Sequence, residues 1–512
     1  MQKHIVVIGA GVGGLVAALE LASQGLAVSV LERAATPGGK LREVAVGGVP
    51  MDAGPTVFTM RWVFEEVFAN AGLRFADEVP CTPSATLARH AWGDGGRLDL
   101  FADLERTVAA IGTFAGAAEA QRYREFVARA RGIYRTLEGP FIRSACSSPL
   151  ALMRAVGWRR LDQMWRISPF STLWRALGRH FHDPRLRQLF GRYATYCGSS
   201  PFQAPATLML IAHVEQEGVW LIEGGMHRLA QALAKAARLH GATLRFDSEV
   251  AAISTESGRV SGVRLASGEH IAADAVVVNA DTAALAAGLF GSAAARAAPR
   301  PFGATRSLSA ITWMLRASTA GFPLHRHNVF FSSDYPREFE QLFKHAQVPT
   351  EPTVYVCAQD RGDHETPPPG QPERLLCLIN APPNGDLQRY DAAQLDACEA
   401  HTFALLARCG LTLTRSPEWT QIATPNHFNQ LFPATGGALY GPASHGWRAS
   451  FNRHGSRSRM PGLYLAGGST HPGPGVPMAA ISGRLAAGCL IEDLGSTSRS
   501  PPAVTPGGTS MR

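Results

Sequence analysis

Apolar residues in this 512-residue chain fall into two rhythms, short β-branched runs and longer stretches with helical spacing, and their alternation predicts an α/β fold. His4 to Ile8 reads as a strand, Leu15 to Ala22 repeats its apolar positions at helical spacing, and Ala27 to Leu31 reads as a second strand. The same alternation returns twice. Gly218 to Met226 leads into a helix-like run from Leu229 to Leu239, then strand-like Ala242 to Phe246 and Val250 to Ile253. Near the C-terminus, Gly462 to Gly468 reads as a strand running into a glycine turn. Pro477 then stands before a helical run from Met478 to Leu494, where proline suits a helix start.

Composition changes this picture little. With 46% hydrophobic and 18% charged residues the chain is an ordinary globular one, long enough for two large domains. Its eight cysteines include no C-x-x-C pair, so neither a zinc site nor a redox disulfide is written in it, and no metal site is expected. The N-terminus moves straight into a strand, without the layout of a secretory signal. The longest uncharged window, Met460 to Gly483, carries four prolines and cannot span a bilayer.

Charge is more telling. Nine arginines (Arg154, Arg159, Arg160, Arg166, Arg175, Arg179, Arg185, Arg187 and Arg192) face only Asp162 and Asp183 in one stretch, interleaved with Trp158, Trp165 and Trp174. Such a mixture suits peripheral contact with an anionic membrane, expected on the cytoplasmic side of a bacterial inner membrane. A solvated basic face over an ordinary core is the alternative. Nucleic-acid binding is disfavoured, because the rest of the chain is almost without basic surplus.

The strongest chemical signal lies in the first βαβ unit. Gly9 permits a tight turn, Gly11 lets a pyrophosphate approach backbone N–H groups at a helix N-terminus, and Gly14 lets helix and strand pack closely. Glu32 follows eighteen residues after Gly14, where an acid accepts hydrogen bonds from an adenosine ribose. A dinucleotide is the expected ligand. Arg33 then precedes a second glycine-rich stretch, Pro37 to Leu41 with Gly39 and Lys40, followed by Met51 to Thr56 with Gly54 and Pro55.

With these residues the sequence resembles the amine-oxidase and phytoene-desaturase group of flavoproteins. The resemblance implies FAD, with Gly39, Lys40, Leu41, Gly54, Pro55 and Thr56 passing its pyrophosphate and ribityl chain and Val250 holding the adenine by backbone contacts. It also implies that Gly467, Gly468, Val476, Pro477 and Met478 return to the flavin ring, with the last helix offering its positive end. Many members of the wider group carry an acid where Gly468 stands; its absence, with Thr470 to Gly473 (THPG), narrows the resemblance to carotenoid desaturases. The implied architecture is a discontinuous Rossmann-like FAD-binding domain over 1–70, 218–290 and 445–495. An α+β substrate domain would take 71–217 and 291–444, and 496–512 would be a disordered tail.

Tyr193 to Phe202, Pro205-Ala206 and Phe432 to Gly441 extend the likeness to most of the chain. The implied reaction is desaturation of an acyclic carotenoid, C3–C4 dehydrogenation of a 1-hydroxycarotenoid, with phytoene or neurosporene as the alternative substrate. A hydrophobic polyene is therefore the expected substrate and oxygen or a membrane quinone the electron acceptor, since no second nucleotide motif is present for NADPH. No catalytic residue can be chosen from spacing. His227, Tyr440 and Trp447 are candidates for a partner to the substrate hydroxyl, and His471 is either a turn residue or part of the site. An amine oxidase of the same fold and a lipid carrier without flavin remain as readings of other classes.

Overall fold

The structure is a computed structural model that describes residues 2–145, 170–300 and 304–498. One half is built on a five-stranded parallel sheet in the order Leu463–Leu465, Ala275–Val278, His4–Ile8, Ala27–Leu31, Thr243–Arg245. The inner strands are nearly unbroken apolar runs because both faces are covered. Ile5 and Val7, with Ala275 and Val277, point into one core, under the helices Val12–Ser23, His227–Leu239 and Val476–Ser498. Val6 and Ile8, with Val276 and Val278, point into a second core, shared with the antiparallel sheet Val250–Glu256, Arg259–Leu265 and His270–Ala272. This period-two division of one apolar run between two cores fixes the register.

The first helix begins at Val12, three residues before its apolar repeat, and the third begins at Val476. That C-terminal helix also passes the expected start of the tail at residue 496 and runs to Ser498. Its end is tied down: Arg457 pairs with Glu492 and Asp493, and the Tyr464 hydroxyl donates to Asp493 at 2.8 Å.

The other half is an eight-stranded mixed sheet whose longest strand, Ser309–Gly321, pairs with Glu373–Ala381, Leu411–Thr414 and Thr420–Ala423. Strands Val354–Ala358, His327–Phe331, Thr86–Trp92 and Arg97–Phe101 complete it. Helices Leu104–Ala115 and Ala117–Leu137 cover one face, and a π-helical turn, Glu138–Ile142, follows them.

The described part of the arginine-rich stretch, from Phe170 onward, departs from the reading as an interfacial helix. Leu173 and Leu177 are buried in the core, Arg185 pairs with Asp183, and Arg187 stacks 4.1 Å over the Trp174 ring. Arg192 faces an internal cavity. Arg154, Arg159, Arg160 and Arg166, with Trp158 and Trp165, lie outside the described residues. Among the described residues no helix is long and apolar enough to cross a membrane, and no cluster of side chains suits a metal ion.

Candidate functional site

A single cavity of about 660 Å³ runs from the glycine turn of the first strand to the face of the large sheet. Sixteen of the seventeen residues expected at the cofactor line it. At one end are Gly9, Gly11, Glu32, Arg33 and Val250; along its floor are Gly39, Lys40, Leu41, Gly54, Pro55 and Thr56; opposite are Gly467, Gly468, Val476, Pro477 and Met478. Gly14 is the exception. It sits beneath the loop, where a side chain would drive into the Gly9 carbonyl, so its smallness serves packing.

Local chemistry holds these pieces in place. Glu32, 8% exposed, accepts the Ala10 N–H at 2.7 Å and the Ala34 N–H at 2.9 Å, stiffening the turn while its carboxylate borders the cavity. Gly9 adopts φ +95°, a conformation that side chains disfavour. Under the loop lies Asn279, which sequence reasoning missed: its amide donates to the Gly9 carbonyl, and Gly11, Gly13 and Gly467 all leave room for it. The C-terminal turn is fixed by Ser482, whose hydroxyl accepts the Gly467 N–H at 2.7 Å and also contacts Thr470 at 2.8 Å. Asp52 accepts the N–H groups of Met226 and His227 at 2.7 and 3.0 Å, joining the second glycine-rich stretch to the helix His227–Leu239.

The charged groups here are few and constrained. Lys40 donates to the Leu439 carbonyl at 2.6 Å; burial holds its ammonium below the usual range, partly opposed by Asp281. Arg453 is 4% exposed, donates to the carbonyls of Tyr440, Pro442 and Gly468, and is pushed down to about 10 by burial. Arg42 Nη2 and Asp281 Oδ2 are buried polar atoms without a hydrogen-bond partner, and both residues border the cavity. A groove of bare glycine backbone, a buried acid at its edge and unspent polar atoms suits a flavin cofactor.

Beyond the floor the lining turns apolar, with Leu208, Ile211, Val214, Leu376, Leu378 and Phe428. One polar knot interrupts it. The Tyr355 hydroxyl lies 2.7 Å from both Thr56 Oγ1 and His327 Nδ1, and burial pushes His327 down to about 3, leaving it neutral. Beside Tyr355, the Arg192 guanidinium sits 5.4 Å from the Tyr355 and Tyr196 ring centroids. Glu215 accepts the hydroxyls of Tyr193 and Tyr196 at 2.6 and 2.7 Å, and burial raises its carboxyl above the ordinary range. Burial lowers Arg192 too, but the facing phenols of Tyr196, Tyr355 and Tyr335 outweigh it and keep the guanidinium charged.

Of the three candidates for a hydroxyl partner, only Tyr440 borders the cavity. His227 is buried beneath it with Nδ1 on the Leu41 carbonyl, and Trp447 is 40% exposed beside Phe170. His471 is more than a turn residue: its Nε2 lies 2.9 Å from the carbonyls of Phe141 and Ser144, tethering the π-helical turn that presents Phe141 to the cavity.

The model of the flavin containing amine oxidoreductases matches residues 12–491, and the chain belongs to that family. It is a flavin-dependent oxidoreductase of the carotenoid-desaturase branch. More particularly, it is 55% identical to hydroxyneurosporene desaturase of Rubrivivax gelatinosus, over 100% of this chain and 98% of that protein. It is 44% identical to the hydroxyneurosporene desaturase of Cereibacter sphaeroides, over 97% and 99%. The 4,4'-diapolycopene oxygenase of a Methylomonas species is 30% identical over 96% and 99%. Among solved structures, putrescine oxidase bound to putrescine superposes with a TM-score of 0.60 at 14% identity, covering 96% of this chain and 99% of that one, a likeness of fold.

Proposed function

We propose that this protein is an FAD-dependent desaturase that introduces the C3–C4 double bond into an acyclic 1-hydroxycarotenoid such as hydroxyneurosporene. The observation that carries this reading is the 55% identity along the whole chain to a hydroxyneurosporene desaturase, joined to a cavity that passes from a dinucleotide groove into an apolar channel. On this reading 1–70, 218–290 and 445–495 form the FAD-binding domain, and 71–217 with 291–444 form the substrate domain. Gly9, Gly11, Glu32 and Val250 hold the adenosine and pyrophosphate; Gly39 to Leu41, Gly54 to Thr56, Gly467, Gly468 and Val476 to Met478 hold the rest, while Gly14 packs the loop.

Flavin, when bound, would supply a hydride acceptor for the allylic C4, and the proton of C3 would pass to water or a weak side-chain base as the double bond forms. The protein's share is binding, alignment and dryness. Leu208, Ile211, Val214 and Phe428 seat the polyene and exclude water from a cation-like transition state. The N-terminus of the last helix, at Val476, borders the cavity, and its partial positive charge favours the reduced, anionic cofactor. Oxygen or a quinone would serve as the final electron acceptor. Peripheral contact with an anionic membrane would bring the greasy substrate within reach, and the adjoining rings of Phe170 and Trp447, 66% and 40% exposed, favour such contact.

The test is anaerobic. Purified protein is assayed for its flavin by chromatography, then mixed with 1-hydroxyneurosporene in micelles. Bleaching of the flavin together with a red shift of the polyene is expected. A colourless protein that cannot be reconstituted with FAD, or a flavin untouched by any polyene, refutes the reading.

A further inference from the structure

The polar knot that interrupts the apolar lining has no role in holding the flavin segments, apart from the Thr56–Tyr355 contact. It nonetheless borders the cavity through Arg192, Tyr196, Glu215 and Tyr355. Arg192 is partly exposed, and its guanidinium opens on the cavity. Arg192 has no carboxylate within ion-pair distance among the described residues, and its side chain makes one hydrogen bond there, to the Tyr196 hydroxyl at 3.3 Å. A guanidinium has five N–H donors, so most of them are unspent.

Chemistry fixes what such a group could meet. In a 1-hydroxycarotenoid the oxygen is three bonds from C3 and four from C4, so a hydroxyl partner must stand beside the reacting carbons. It cannot stand at the far mouth of the channel. Thr56, in the segment expected at the flavin, bonds Tyr355, and Tyr355 shares a face with Arg192.

We propose that Arg192 and Tyr196, positioned by Glu215, form the seat of the substrate's tertiary hydroxyl and set the preference for hydroxylated over plain polyenes. Arg192 donates to the hydroxyl oxygen. Tyr196, whose own proton is committed to Glu215, accepts the hydroxyl proton on a remaining lone pair. Glu215 is a positioning residue. This assignment rests on the desaturase reading above.

The test measures the rate of flavin bleaching per substrate concentration for 1-hydroxyneurosporene and for neurosporene, using holoenzyme in micelles. The wild type is expected to favour the hydroxylated polyene on the order of 100-fold, because a plain polyene leaves the site's donors unpaired. Tyr196→Phe and Arg192→Met should each reduce that ratio at least tenfold, by losing rate on the hydroxylated substrate. Tyr196→Phe removes one oxygen only, so it carries the test if Arg192→Met fails to fold. A ratio unchanged in flavin-loaded Tyr196→Phe overturns the assignment and leaves the desaturase reading intact. A wild type that bleaches with neither polyene overturns both.

Discussion

Replacing Gly13 by alanine tests the convergence of distant segments at a single atom. An added Cβ would stand 2.7 Å from Asn279 Oδ1, 2.9 Å from the Ala479 carbonyl and 2.9 Å from the Gly467 nitrogen. All three fall at least half an ångström inside ordinary contact, and two are backbone atoms of the C-terminal segment, so no side-chain rotation relieves them. Overpacking of this kind costs about 1–3 kcal/mol, while alanine's intrinsic advantage in a helix returns about 1 kcal/mol. The relief must come from moving the C-terminal turn and helix, which border the same cavity. The variant should therefore unfold at lower urea and hold flavin roughly tenfold more weakly, since 1.4 kcal/mol is a factor of ten. Gly488→Ala is the control: it lies on the same C-terminal helix with no atom within 4 Å of its Cβ, and should stabilise by up to about 1 kcal/mol. Urea midpoints by circular dichroism and the ratio of flavin to protein absorbance measure both. A Gly13→Ala protein with wild-type midpoint and flavin content would refute the packing argument.

Other perturbations have equally definite outcomes. Glu32→Ala leaves the Ala10 and Ala34 N–H groups unpaired at about 1–3 kcal/mol each, and flavin should be lost on gel filtration; full retention would contradict the role given to this acid. Burial pushes Glu338, 1% exposed, up to about 7. Its folded state thus binds a proton below pH 7 that the unfolded chain binds only near 4.5. The stability of wild type relative to Glu338→Gln should rise by about 1.4 kcal/mol per unit as pH falls from 7 toward 4.5, and parallel pH profiles would refute it. Arg159→Glu, Arg160→Glu and Arg166→Glu together should reduce sedimentation with anionic liposomes; unchanged sedimentation removes the membrane contact.

The βαβ unit was legible because each of its signals is local: apolar runs, glycines at fixed offsets and an acid eighteen residues on. The return of Gly467 to Met478 was legible only through resemblance, since nothing in Gly462 to Leu494 names its partner. Asn279 escaped notice because its role is to fill space left by glycines of two other segments, a property of assembly. Arg192 was misjudged for a related reason. Counted with eight neighbouring arginines it looked like part of a charged face, yet the short helices Leu173–His180 and Pro184–Gly191 turn it inward against tyrosines far along the chain. Its position facing the cavity is shared with Tyr355, which sequence spacing does not connect to it.

The strand order of the parallel sheet bears on how the enzyme is made. The strand His4–Ile8 leaves the ribosome well before its neighbour Ala275–Val278, which emerges more than half of these 512 residues later, and the edge strand Leu463–Leu465 and the helix Val476–Ser498 follow later still. Until then the first helix exposes the side that the last helix will cover, a sticky intermediate of high contact order. Cofactor capture is thereby deferred until the helix Val476–Ser498 has emerged, and truncations that remove this helix should yield aggregated, colourless protein.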